Sequence, residues 1–75
     1  MGDARLGSRL KEIRTAAGLT QAELAERAGV SRKTVNTVEN GVFTPSVLVA
    51  LSLARALDTT VEALFGLAQE QRIWR

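Results

Sequence analysis

Residues 20–39 read TQAELAERAGVSRKTVNTVE, and the order of caps, apolar positions and turn in this stretch spells two short helices joined by a tight corner. Thr20 is a good N-cap, because its hydroxyl can accept an unpaired backbone N–H of the first turn. Glu23, three residues later, can return a bond to the cap and complete a capping box. Leu24, Ala25 and Ala28 then fall on one helical face. Gly29 stops the helix, since glycine enters the left-handed region without a Cβ clash. Val30 anchors the corner and Ser31 caps the next helix, which runs from about Arg32 to Asn40 before Gly41 ends it. At about 100° per residue, Arg32, Lys33, Asn36, Thr37 and Asn40 share an arc of roughly 140°, with Val35 and Val38 on the other side. No acidic residue lies between Arg27 and Val38. Small Ala25 permits a close helix crossing, and Val35 and Val38 fasten the second helix to the body.

This pattern resembles the helix-turn-helix of the lambda-repressor-like family, also called Cro-type or XRE-type regulators. The residues that carry the resemblance are Thr20-Gln21, Leu24-Ala25, Gly29-Val30-Ser31, Val35 and Val38-Glu39-Asn40-Gly41, with Pro45 beyond them. It covers about residues 6–65. What it implies is an all-α, compact five-helix DNA-binding domain with a short C-terminal tail, whose second motif helix lies in the major groove of double-stranded DNA. Carried over position by position, Arg32, Lys33 and Thr37 meet base edges: Arg and Lys suit guanine O6 and N7, and the threonine methyl suits thymine. Asn36 reaches either a base or a phosphate. Gln21 and the backbone N–H groups beside it bond a phosphate, aided by the helix dipole. Ser31, Asn40, Phe43 and Thr44 belong to the same backbone-contacting set, and Arg9 adds a further phosphate contact. Many relatives carry glutamine where Arg32 and Lys33 stand, so no inherited base preference transfers; the arginine and lysine point to G-containing sites. In similar proteins an arginine of the first helix pairs with the glutamate ending the third, here Arg14 and Glu39. The alternative is two unrelated surface charges.

Composition narrows the chemistry further. The chain has 75 residues, a formal net charge of +2, and neither cysteine nor histidine. Without thiolates or imidazoles there is no disulfide framework, no expected metal site and no histidine-based catalysis. The eight acidic residues are scattered, and no nucleophile–base pair or Gly-rich phosphate loop can be assembled. The expectation is therefore a non-enzyme with no cofactor, no catalytic residue and no small-molecule substrate. A charge of +2 is too small for a sequence-blind electrostatic binder, so the arrangement of charge carries the signal. No apolar run long enough for a bilayer and no signal-peptide core occurs, which makes the cytoplasm the expected location.

Outside the motif, the spacing of Leu6, Leu10 and Ile13 predicts a first helix over about Ala4–Ala17, ended by Gly18, with residues 1–3 frayed. Thr44 and Pro45 read as N-cap and N1 of a fourth helix running to about Leu57. Its core, VLVALSLARAL, is apolar almost all round, which predicts a pillar buried on most sides against helices one, two and three. The surplus apolar surface would meet either the tail or a second subunit. Thr59 and Glu62 read as a capping box opening a fifth helix that ends near Leu64 or Phe65 before Gly66. In the tail, residues 66–75, Trp74 either caps the monomer core or joins a dimer contact. The whole chain is expected to be one domain.

Two functions fit these residues. The first is a sequence-specific transcriptional regulator, a repressor, binding as a homodimer to a palindromic operator, because one monomer offers few base contacts and each is worth only about 1–3 kcal/mol of discrimination. The second is an antitoxin-like interaction module that holds a partner protein through its C-terminal tail.

Overall fold

The computed structural model describes residues 2–68; the expectations for Trp74 and a tail-bound partner lie outside the described residues. The chain order is β1 (Leu6–Ser8), α1 (Leu10–Ala16), α2 (Gln21–Ala28), α3 (Arg32–Glu39), α4 (Val47–Ala56), α5 (Val61–Leu64) and β2 (Phe65–Leu67). It is the expected five-helix domain with one addition, an antiparallel strand pair that registers Leu6 with Leu67, Gly7 with Gly66 and Ser8 with Phe65.

That pair corrects both ends of the sequence reading. Residues 6–8 are extended rather than helical, and α1 starts at Leu10 instead of Ala4. Gly7 and Ser8 supply the reason. Glycine is a poor helix former, and the Ser8 hydroxyl instead accepts the Leu10 N–H at 3.2 Å, at the start of the helix. At the other end Gly66 is the middle of β2, not a helix stop. The Ala68 N–H reaches the Arg5 carbonyl at 2.7 Å and the Arg9 N–H the Leu64 carbonyl at 2.7 Å, so the two ends of the fold are stitched together.

Cap chemistry fixes the motif helices as read. The Thr20 hydroxyl accepts from Glu23 N at 3.0 Å, and the Glu23 carboxylate accepts from Thr20 N at 2.8 Å. The backbone N–H of Thr20, and after it the Thr20 hydroxyl, hold the Glu23 carboxyl below its ordinary range. Gly29 is left-handed at φ 73°. Ser31 accepts from Thr34 N at 3.0 Å. Two later caps differ from expectation. Ser46, not Thr44, caps α4 by accepting from Val49 N at 3.1 Å, so Pro45 stands outside the helix. Thr60, not Thr59, caps α5 by accepting from Ala63 N at 3.1 Å. Asp58 is left-handed at φ 55° and turns the chain, and the cap falls two residues later.

One core cluster joins Leu10 of α1, Leu24 and Ala25 of α2, Val35 and Val38 of α3, Ala50, Leu53 and Ala54 of α4, Leu64 of α5 and Phe65 of β2. Val30 packs against it from the corner. α4 packs mainly on α2 and α5, and it is not buried on most sides. Val47, Leu48 and Leu51 are 77%, 74% and 54% exposed. These three lie on one face, since positions i, i+1 and i+4 fall within about 100° of arc. Leucine and valine in α4 thus serve two surfaces, and only one of them is the core. Among the described residues, no helix is long and apolar enough to cross a membrane.

Candidate nucleic-acid interface

α2 and α3 meet across the Gly29–Ser31 corner, with Ala25, Val35 and Val38 buried between them and the rest of the domain. α3 is then oriented by its far end. Arg14, buried in α1, donates from Nε to Glu39 Oε2 at 2.5 Å and from Nη2 to Glu39 Oε1 at 3.2 Å. Its remaining Nη1 donates to the Leu19 carbonyl at 2.7 Å. The side chains of Arg14 and Glu39 are only 10% and 2% exposed. A bidentate, nearly dry ion pair between a helix of the scaffold and the last residue of α3 fixes the roll of α3 as well as its position.

With its inner face and C-terminal end fixed, α3 turns the other residues outward. Arg32, Lys33, Asn36 and Asn40 are exposed and Thr37 is half-buried. Gln21, the first residue of α2, lies beside them. Gln21, Arg32, Lys33 and Asn36 together line an open cleft of about 250 Å³. The Thr37 hydroxyl donates to the carbonyls of Lys33 at 2.9 Å and Thr34 at 3.1 Å. What Thr37 has left for a ligand is mainly its methyl group. Asn36 Nδ2 donates to Gln21 Oε1 at 3.5 Å and Asn40 Nδ2 to Asn36 Oδ1 at 3.3 Å, while Gln21 Nε2 donates to Glu39 Oε1 at 3.0 Å.

Downstream, the loop is folded back onto α3. The N–H groups of Val42 and Phe43 both reach the Thr37 carbonyl, at 2.9 and 3.3 Å. The N-terminal residues brace the loop from outside, which the sequence did not foretell. Asp3 N donates to the Thr44 hydroxyl at 3.0 Å. A Cβ at Gly2 would stand 1.9 Å from the Gly41 carbonyl oxygen, so only glycine fits there. Arg5 donates to both carboxylate oxygens of Asp3, from Nε at 3.1 Å and Nη2 at 2.7 Å. This contact, helped by the Arg5 backbone N–H, holds the Asp3 carboxyl down at about 2, and it raises Arg5 in turn. Sequence offered one hint, the acid and base two residues apart; the partner loop, 41 residues away, left no local trace.

The structure therefore gathers Gln21, Arg32, Lys33 and Asn36 around one cleft, with Thr37 on the same helix, Asn40 at its C-cap and Ser31 capping its start. Phe43 and Thr44 sit in the loop braced by residues 2–5. Arg9 is placed elsewhere, lining a hollow with Glu62 and the β1–β2 pair.

Comparison with known proteins agrees with this geometry. The family model described as Helix-turn-helix matches residues 10–64. An HTH-type transcriptional regulator of Archaeoglobus fulgidus is 37% identical over 67 residues, covering 89% of this chain and 93% of its own. Among solved structures, the restriction-modification controller protein C.AhdI from Aeromonas hydrophila is 44% identical with a TM-score of 0.70, over 72% of this chain and 82% of its own. The biofilm master regulator SinR, solved in complex with DNA, is 31% identical with a TM-score of 0.68, over 72% of this chain and 87% of its own. The chain belongs to the helix-turn-helix family. It is a DNA-binding transcriptional regulator of the XRE, lambda-repressor-like kind, and that family is one of regulators, not enzymes.

Proposed function

We propose that the protein represses transcription by occupying promoter DNA as a homodimer, with α3 of each copy in successive major grooves of a palindromic operator. One observation carries this reading: the row Arg32, Lys33, Asn36 and Gln21 opens onto a single cleft while the opposite side of α3 is locked by Val35, Val38 and the Arg14–Glu39 pair. In that pose Arg32 and Lys33 reach guanine edges and the Thr37 methyl meets thymine. Asn36 stands at the border between bases and phosphates. Gln21, Ser31, Asn40, Phe43 and Thr44 hold the sugar-phosphate rails. Arg9 joins them only if the duplex curves toward the β1–β2 hollow.

The dimer reading rests on α4. Val47, Leu48 and Leu51 form an exposed apolar face. Leu51 borders a hollow of about 660 Å³ rimmed by Arg55, Asp58 and Glu62. Apolar residues flanked by both charge signs make a self-complementary patch, as a two-fold interface requires. Two-fold pairing doubles the base contacts and calls for half-sites about 34–36 Å apart. Repression follows from occlusion of the promoter.

Selection of bound duplexes from a random pool tests the reading. The expected result is a palindrome with G-containing half-sites one turn apart. Arg32→Ala and Lys33→Ala should then weaken the selected duplex more than random DNA, because base contacts specify whereas phosphate contacts position. Recovery of no enriched sequence, or equal losses on both DNAs, would refute the groove assignment.

A further inference from the structure

A carboxylate can only accept hydrogen bonds, and one such group stands at the root of the α3 surface. Glu39 Oε1 receives Gln21 Nε2 at 3.0 Å, so Gln21 must turn its amino group inward and its carbonyl oxygen outward. That oxygen faces Asn36 Nδ2 at 3.5 Å, the outer limit of a hydrogen bond. Asn36, with its amino group turned to Gln21, has its Oδ1 free for Asn40 Nδ2 at 3.3 Å. The outline of an amide does not distinguish its oxygen from its nitrogen. Here the charge on Glu39 does. Reversing Gln21 would set oxygen against oxygen, and each further amide would have to reverse in turn.

We propose that Asn36 is a positioning residue in this carboxylate-anchored amide row, and that the row holds N–H donors toward the DNA backbone rather than reading a base. The inference rests on the DNA-binding pose proposed above and deepens it. Every primary amide has two N–H groups. Asn36 and Asn40 each spend one inside the row and keep one to offer, whereas the spare N–H of Gln21 sits on the nitrogen turned toward Glu39. Phosphate oxygens only accept, so leftover donors suit them. Adenine readout by asparagine takes both the N–H and the carbonyl of one amide, and Asn40 already takes one of the two lone pairs of the Asn36 carbonyl and fixes its direction. A chain of bonds ending on an ionised group also polarises its outer members. Base discrimination then falls to Arg32 and Lys33, whose side chains make no hydrogen bond among the described residues, and to the Thr37 methyl.

The test has one arm without DNA and one with it, both on the full chain. In nitrogen-15 spectra, Asn36→Ala should move the side-chain amide signals of both Gln21 and Asn40 while the melting temperature holds, because Asn36 is exposed. Unmoved signals would overturn the row. In the second arm, affinity is measured for the selected duplex and for each of its single base-pair variants. Asn36→Ala should lower every affinity by the same factor, roughly five- to tenfold for the one hydrogen bond lost in each half-site, leaving the ratios between duplexes unchanged. Asn36→Asp, which sets an acceptor against Gln21 Oε1, should lower all of them further. A ratio that collapses at one base pair would overturn the proposal, because Asn36 would then be reading that base. If the wild type prefers no duplex, the DNA pose fails and the role of the row fails with it, while the amide signals still decide whether the row exists.

Discussion

Removing Arg14 while leaving Glu39 in place is the most severe perturbation that a single exposed-looking charge in this sequence offers. The guanidinium spends three N–H groups, two on Glu39 and one on the Leu19 carbonyl. The Glu39 side chain is 2% exposed, so water cannot replace what Arg14→Leu takes away. Breaking one side of a buried pair costs about 3–5 kcal/mol. At about 0.05–0.15 kcal/mol per residue, a chain of this size has roughly 4–11 kcal/mol of stability in all. The variant should therefore lose at least a quarter of it. At about 4–8 °C per kcal/mol for a domain this small, the melting temperature should fall by about 12 °C or more. The double variant Arg14→Leu with Glu39→Met removes both charges and should recover most of the loss, since apolar replacement of a whole buried pair is often neutral or better. Urea unfolding followed by circular dichroism of the four-member cycle gives the coupling directly. A cost below about 1 kcal/mol for Arg14→Leu, the scale of an exposed ion pair, would refute the claim that the pair is dry.

Gly29 is left-handed with open space where a Cβ would stand, so substitution there costs backbone strain alone. Gly29→Val should lower stability by at least about 1–2 kcal/mol, and Gly29→Asn by clearly less because asparagine tolerates that region; equal melting temperatures for the Gly29→Val variant and the wild-type protein would contradict the corner geometry. Asp3 has a folded value near 2 against an ordinary 3.8. Its contribution is therefore complete above the ordinary value and lost as pH falls through about 2. A carboxyl-detected NMR titration should find that low midpoint and return it toward the ordinary range in Arg5→Ala; an ordinary midpoint in the wild type would sink the Arg5–Asp3 contact. Leu48 is 74% exposed, so Leu48→Glu should leave the monomer folded but halve the mass seen by light scattering at micromolar concentration. A monomeric wild type, with and without operator, would remove the dimer reading.

What the sequence disclosed and what it hid divide by the range of the chemistry involved. Thr20 with Glu23, Gly29 and Ser31 act on backbone groups within a few residues, so α2, the corner and α3 could be drawn from spacing alone. The same reasoning failed by a residue or two where caps compete. Thr44 and Ser46 flank Pro45, Thr59 and Thr60 are adjacent, and only the path of the neighbouring turn decides which hydroxyl meets an open N–H. Strand β1 was illegible for a different reason. Three residues centred on Gly7 carry no periodicity of their own and become a strand only because Gly66 arrives beside them.

The site shows the same division, with one further step. Which α3 residues face outward followed from the 3.6-residue period, and the partnership of Arg14 with Glu39 from resemblance. What no pattern could give is direction within the contacts. Periodicity places Gln21, Asn36 and Asn40 near one another but treats each amide as a symmetric polar group. Direction enters from Glu39, a residue whose visible role is to hold a helix in place. Its charge is balanced by Arg14, which reaches both carboxylate oxygens, and Gln21 shares one of them, Oε1. A group buried for stability can therefore also decide which atoms the surface offers. In this fold the residue that locks α3 to the scaffold and the residue that orients its outer amides are the same one, so Glu39→Gln should disturb DNA affinity by more than its loss of stability alone accounts for. Equal affinity at temperatures where that variant is fully folded would separate the two roles and assign Glu39 to the scaffold only.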